Sequence, residues 1–164
     1  MNRIVMLMLL FVFGTGHAGS LPDLGLQTLE GKSASLDQYV GKGKWTLVMF
    51  WATDCGICMR EKPVMSDFHD AHKDKDATVV GVAIDGMANV ETVRDRIREH
   101  KTTYPTLVGE LGVIAVNFEA FAQEAFRGTP TFWLFNPAGE LLGVNPGPVR
   151  PEALESFIAR KSGL

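Results

Sequence analysis

The chain has 164 residues, 46% of them apolar and 21% charged, a balance that fits one compact globular domain with a real core. Its formal charge of −3 gives no electrostatic case for binding nucleic acid or an anionic membrane surface. It has two cysteines, Cys55 and Cys58, too few and too close for a disulfide-stapled scaffold or for a four-ligand zinc site without ligands from elsewhere. Position 59 is Met, so a C-x-x-C-H haem attachment site is excluded, and a redox pair is the reading left standing.

Residues 1–18 have the pattern of a secretory signal peptide. Arg3 supplies the basic start, Ile4 to Phe13 is an unbroken apolar run, and small residues precede a cut after Ala18. The run is too short to cross a bilayer, where about 20 residues are needed. No cysteine follows it, so no stable membrane anchor is expected after cleavage. Export places the cysteines where a disulfide persists. The remaining residues, 19–164, are read as one domain.

Leu24 to Leu29 is predicted as a short strand and Leu36 to Val40 as a short helical turn. Trp45 to Trp51 is aromatic and β-branched, a buried strand. A helix follows from Cys55 to about His72, on the apolar period Val64, Phe68 and Ala71, with Pro63 inside it. Thr78 to Ile84 reads as a strand buried on both faces. Asn89 to about His100 is an amphipathic helix on Val90, Val93 and Ile97. Tyr104 to Val108 is one more short strand, and Leu111 to Ala125 carries a further helical stripe. Phe132 to Phe135 and Glu140 to Val144 form a hairpin around the turn Asn136-Pro137-Ala138-Gly139. Pro151 opens a last helix, with Leu154, Phe157 and Ile158 on its apolar face. The order predicts an α/β domain with a central mixed sheet and helices on both faces.

Cys55 sits where a strand meets a helix N-terminus. Unpaired N–H groups and the helix dipole favour a negative charge there, so a thiolate pKa below the free value of roughly 8.5 is expected. A second thiol one turn on completes the minimal apparatus for disulfide exchange.

At these residues the chain resembles the thioredoxin superfamily, and within it the exported TlpA/ResA/DsbE-like thiol-disulfide oxidoreductases. The match rests on Phe50-Trp51-Ala52-Thr53 leading into Cys55-Gly56-Ile57-Cys58, on Pro63 in the following helix, on Gly128-Thr129-Pro130-Thr131, and on the hairpin turn after it. An N-terminal extension and an enlarged insert after the second core strand also fit this branch. Asp54, Ile57 and Met49 depart from the family pattern, so neither its redox potential nor the buried-aspartate proton relay of thioredoxin itself carries over.

The resemblance implies a thioredoxin-like fold and a periplasmic enzyme that exchanges disulfides with client proteins, as a reductase in cytochrome c maturation or a similar pathway. Cys55 is then the nucleophile and Cys58 the resolving thiol. Pro130 is expected to be cis, placing the Thr129 backbone beside Cys55 to bind substrate, with Trp51 at the same site. Asp85 and Glu61 are candidate proton acceptors for Cys58. The electrons travel on the cysteines, so no cofactor is expected, and a membrane electron donor of the DsbD type is implied. Asp54 is expected to cap the helix. His69 and His72 are read as surface histidines rather than as a metal site. Two other classes remain open: a thiol peroxidase-like enzyme, disfavoured by Ala52 three residues before Cys55, and a non-enzymatic copper-binding or docking module.

Overall fold

The computed structural model describes residues 20–163, so the expected signal segment lies outside the described residues. β1 (Trp45–Trp51) is the centre of a five-stranded sheet ordered β3-β2-β1-β4-β5. It pairs in parallel with β2 (Ala77–Ala83), with Trp51 opposite Ala83, and β2 pairs in parallel with β3 (Thr106–Val108). On its other side β1 runs antiparallel to β4 (Thr131–Phe135), which turns back into β5 (Leu141–Pro146). The sheet is mixed, as the order of elements predicts.

All seven residues of β1 are buried, which explains why, Thr46 apart, its run is apolar. Alternate side chains serve opposite faces. Trp45, Leu47, Met49 and Trp51 pack with Cys58, Met65 and Phe68 of helix α1 (Gly56–His72), Val93 of α2 (Val90–Glu99), and Leu154 and Ile158 of α4 (Pro151–Ser162). Val48 and Phe50 pack on the other face with Leu24, Leu26 and Leu36, and with Ile114 and Phe118 of α3 (Leu111–Ala122). Three helices therefore cover one face, and α3 with the N-terminal segment covers the other. Among the described residues no helix is long and apolar enough to cross a membrane.

The turn after β4 is built by Asn136. Its side-chain oxygen accepts from the N–H groups of Ala138 (3.0 Å) and Glu140 (2.9 Å), and its backbone carbonyl accepts from Gly139 (2.9 Å). Gly139 takes φ 92°, which a side chain would resist.

Two expectations are corrected. Leu24 to Leu29 is not a strand. Gly25 at φ 61° breaks the extended run, and only Gln27 bridges, to Ser33 and Val108. The helix expected to reach Ala125 stops at Ala122, because Gln123 adopts the left-handed conformation at its C-terminus.

Candidate functional site

The end of β1 delivers the chain to the N-terminus of α1, and the two cysteines lie on that junction. Cys55 itself is the N-cap of α1, and its Sγ accepts the Cys58 backbone N–H at 3.1 Å. This corrects the capping role expected of Asp54, which is exposed. The result sharpens the chemistry, because the sulfur replaces the carboxylate as the acceptor at the helix N-terminus. Cys55 and Cys58 form a disulfide, with Cα atoms 5.2 Å apart. Cys55 is half-buried and Cys58 is fully buried.

The Thr129–Pro130 peptide bond is cis, and the Cys55 sulfur lies 3.5 Å from the Thr129 carbonyl oxygen. Arg127, Thr129, Pro130, Pro146 and Gly147 line a groove of about 180 Å³ together with Ile57, the residue between the cysteines. Ile57 is 43% exposed, an apolar contact open to an incoming chain beside the pair.

The other candidates fall beneath or beside this groove. Trp51 is 0% exposed and so has no surface to offer a substrate; it supports the site from below. Asp85 is held by the residue two before Cys55: its carboxylate accepts from the Thr53 N–H (3.0 Å) and the Thr53 hydroxyl (2.5 Å). The Arg96 Nε of α2 donates to the Thr53 carbonyl at 3.2 Å, so the loop before the cysteines is clamped from both sides. Glu61 accepts the Val149 N–H at 3.2 Å, tying α1 to the approach of α4. Met49, fully buried, accepts from the Tyr104 hydroxyl at 3.5 Å.

His69 is buried, not a surface group. Its Nδ1 accepts the Val79 N–H at 3.2 Å, and burial pushes its pKa down. His72 instead bridges Asp76 (2.8 Å) and Glu155 (3.4 Å).

One residue that sequence reasoning missed is Lys62. It is 0% exposed, and its Nζ lies 3.3 Å from the centre of the Trp51 ring. Burial pushes its pKa down to about 7, against the attraction of Asp85. The sequence did carry a signal: Cys58, Lys62, Met65 and His69 recur at i, i+4, i+7 and i+11, one buried stripe of α1.

Gly81 of β2 leaves room for this cluster. A Cβ there would lie 3.0 Å from Thr106 Oγ1, 3.1 Å from Tyr104 Cε2 and 3.2 Å from Trp51 Nε1. The rings are packed and cannot easily withdraw. Gly81→Ala is therefore expected to destabilise the fold by ~1–3 kcal/mol, read from the urea midpoint.

Comparison with known proteins agrees with this geometry. Sporulation thiol-disulfide oxidoreductase A of Bacillus subtilis (strain 168) is 28% identical over 133 residues, covering 80% of this chain and 75% of the relative. The thioredoxin domain of a thiol-disulfide oxidoreductase from Bacteroides vulgatus superposes with a TM-score of 0.65 at 27% identity, covering 85% of this chain and 96% of that one. A thiol:disulfide interchange protein of the thioredoxin family from Chlorobium tepidum TLS gives a TM-score of 0.67 at 24% identity, over 81% and 88% of the two chains, and supports the thioredoxin-like fold. The family model described as AhpC/TSA matches residues 18–144, most of the chain, and the protein belongs to the AhpC/TSA family.

Proposed function

We propose that this protein is a thiol-disulfide oxidoreductase that reduces disulfides in client proteins of the periplasm. The observation that carries the reading is the Cys55–Cys58 disulfide at the N-terminus of α1, with one sulfur half-buried beside an open groove and the other fully buried. That asymmetry divides the labour. Cys55 meets the client disulfide and forms the mixed disulfide; Cys58, out of reach of clients, resolves it. An ion of sulfur on Cys55 gains from the helix N-terminus, which lowers its pKa once the bond is open.

Thr129 and Pro130 line the groove and are the proposed substrate-binding residues, with Ile57 as an apolar neighbour. Residues 1–18 support export, and the reductase direction calls for a membrane donor of the DsbD type. Cytochrome c maturation is the proposed pathway class.

The test is catalysed reduction of insulin disulfides at the expense of dithiothreitol, run beside hydrogen peroxide consumption under the same donor. The reading expects rapid insulin reduction and negligible peroxide turnover. Peroxide turnover matching or exceeding insulin reduction would replace it with a thiol peroxidase. Absence of both activities in protein that retains copper would favour a binding module.

A further inference from the structure

The buried side of the redox pair carries a lysine. Lys62 follows Cys58 by four residues on α1, a spacing that makes their side chains neighbours on the helix surface, with Cβ atoms about 5–6 Å apart. Both residues are 0% exposed. The Lys62 Nζ rests 3.3 Å from the Trp51 ring centre and 5.9 Å from that of Tyr104, and it donates to Thr102 Oγ1 at 3.5 Å. Among the described residues no carboxylate lies within ion-pair distance of it. A lysine placed this way costs desolvation, and its stacking on Trp51 stands in for the salt bridge it does not form.

We propose that Lys62 is the proton acceptor for Cys58, taking the thiol proton as Cys58 resolves the mixed disulfide and releasing it after the Cys55–Cys58 bond has closed. This rests on the oxidoreductase reading above and adds to it the residue that activates the resolving thiol. Of the two carboxylates expected in that role, Asp85 accepts from Thr53 and Glu61 accepts the Val149 N–H through one oxygen.

The steps balance. Cys55 thiolate attacks the client disulfide, and one client sulfur leaves with the electron pair and takes a proton from water. The Cys58 thiol passes its proton to the neutral Lys62 amine. Cys58 thiolate attacks Cys55 Sγ, the bond between Cys55 and the client sulfur breaks, and that sulfur leaves as a thiolate protonated by water. The client disulfide has gained two electrons and the cysteine pair has lost two. The Lys62 ammonium then gives its proton to water and returns to the amine that burial favours.

The groups around Lys62 set its balance. From the end of β2, Asp85 pulls its pKa up; burial pulls it down to about 7. From the segment before β3, Tyr104 stays protonated, since burial and Glu61 push its pKa up. From α2, Arg96 is directed at the Thr53 carbonyl. On α1 itself, Glu61 and Arg60 are the nearest ionisable neighbours in sequence, and Cys58 lies one turn before. An amine near neutrality is well matched to accept and release a proton in each cycle.

Stopped-flow reaction of the reduced full chain with Ellman's reagent separates the two steps. The first thionitrobenzoate leaves at a rate set by reagent concentration, as Cys55 attacks. The second leaves at a rate independent of it, as Cys58 resolves. Lys62→Met is expected to slow the second phase tenfold or more at pH 7 and shift its rise to higher pH, while the first phase stays within about twofold. An unchanged second-phase pH profile overturns the role of Lys62 and leaves the oxidoreductase reading intact. A wild-type protein with no second phase overturns both. A measurement on the wild type alone guards against a misfolded variant: the Lys62 ε-methylene is titrated by ¹³C NMR in both redox states. The midpoint is expected to rise by about one pH unit on opening the disulfide, because a thiolate forms beside it. Equal midpoints overturn the proposal.

Discussion

Cys55→Ser is expected to reduce disulfide-reductase turnover by at least ~10³-fold, to the uncatalysed background, with little change in fold. Serine fits where the half-buried sulfur sits and retains an acceptor for the Cys58 N–H, so α1 keeps its cap. What is lost is the only accessible thiolate. The companion change behaves differently. Cys58→Ser leaves Cys55 able to attack but unable to be released, so the variant is expected to accumulate mixed disulfides with clients. Non-reducing gels and mass spectrometry of Cys58→Ser recovered from cells check this, and the trapped proteins identify the clients. Reductase activity retained in Cys55→Ser would remove the mechanism altogether.

Lys62→Met is expected to stabilise the oxidised protein, most strongly at pH 7 and below. The sign follows from the direction of the shift. In the unfolded chain the lysine holds its proton up to about 10.5, whereas in the fold it loses it near 7. Between those values the unfolded state binds more protons, so wild-type stability rises with pH across this window. Below about 7 the penalty is complete; above about 10.5 it vanishes. The shift caps the penalty at about 5 kcal/mol, and a gain of ~2–4 kcal/mol is the expected outcome once Met fills the same space. Urea titrations at pH 6 and pH 9.5 read the difference directly: the gap between variant and wild type narrows at the higher pH. A gap that is constant with pH would show that Lys62 is not buried as a titrating amine. The more stable variant is also the one expected to resolve mixed disulfides more slowly, a trade of stability for function.

His69 adds a smaller dependence of the same sign. Its pKa is pushed down by burial, so the unfolded chain protonates first as pH falls below its ordinary value of 6.5. Acid therefore costs stability that the Val79 N–H bond supplies at neutral pH.

The parts of this architecture that were legible in the sequence are those set by short-range pattern. Trp45–Trp51 reads as a strand because every residue is apolar or β-branched, and its place at the sheet centre explains why no alternation interrupts it. Asn136, Pro137 and Gly139 announce their turn because the Asn side chain and the Gly backbone each do a job few residues can. The Cys55–Cys58 spacing and the strand before it place the pair without any tertiary information.

The failures have physical reasons too. Leu24 and Leu26 are buried as the apolar pattern requires, but Gly25 takes a positive φ and the segment packs without forming a ladder. Asp54 is a preferred cap type, yet the chain gives that position to the next residue, a choice made by loop geometry that composition does not carry. Asp85 is brought to Thr53 by the parallel pairing of β1 and β2, a contact across 32 positions. The burial of His69, expected at the surface, and of Lys62 has one explanation. Lysine and histidine are usually solvated, so their place on the buried stripe of α1 was outweighed by residue type.

The most direct test of the central claim is the reduction potential of the Cys55–Cys58 pair, by equilibration with glutathione or dithiothreitol buffers and thiol trapping. The account predicts that both cysteines convert together and reversibly, with a potential near that of thioredoxin, about −270 mV. A value nearer −120 mV would contradict the reductase direction and make the protein an oxidant. A pair that stays oxidised across the whole range would make the disulfide structural and contradict the account itself.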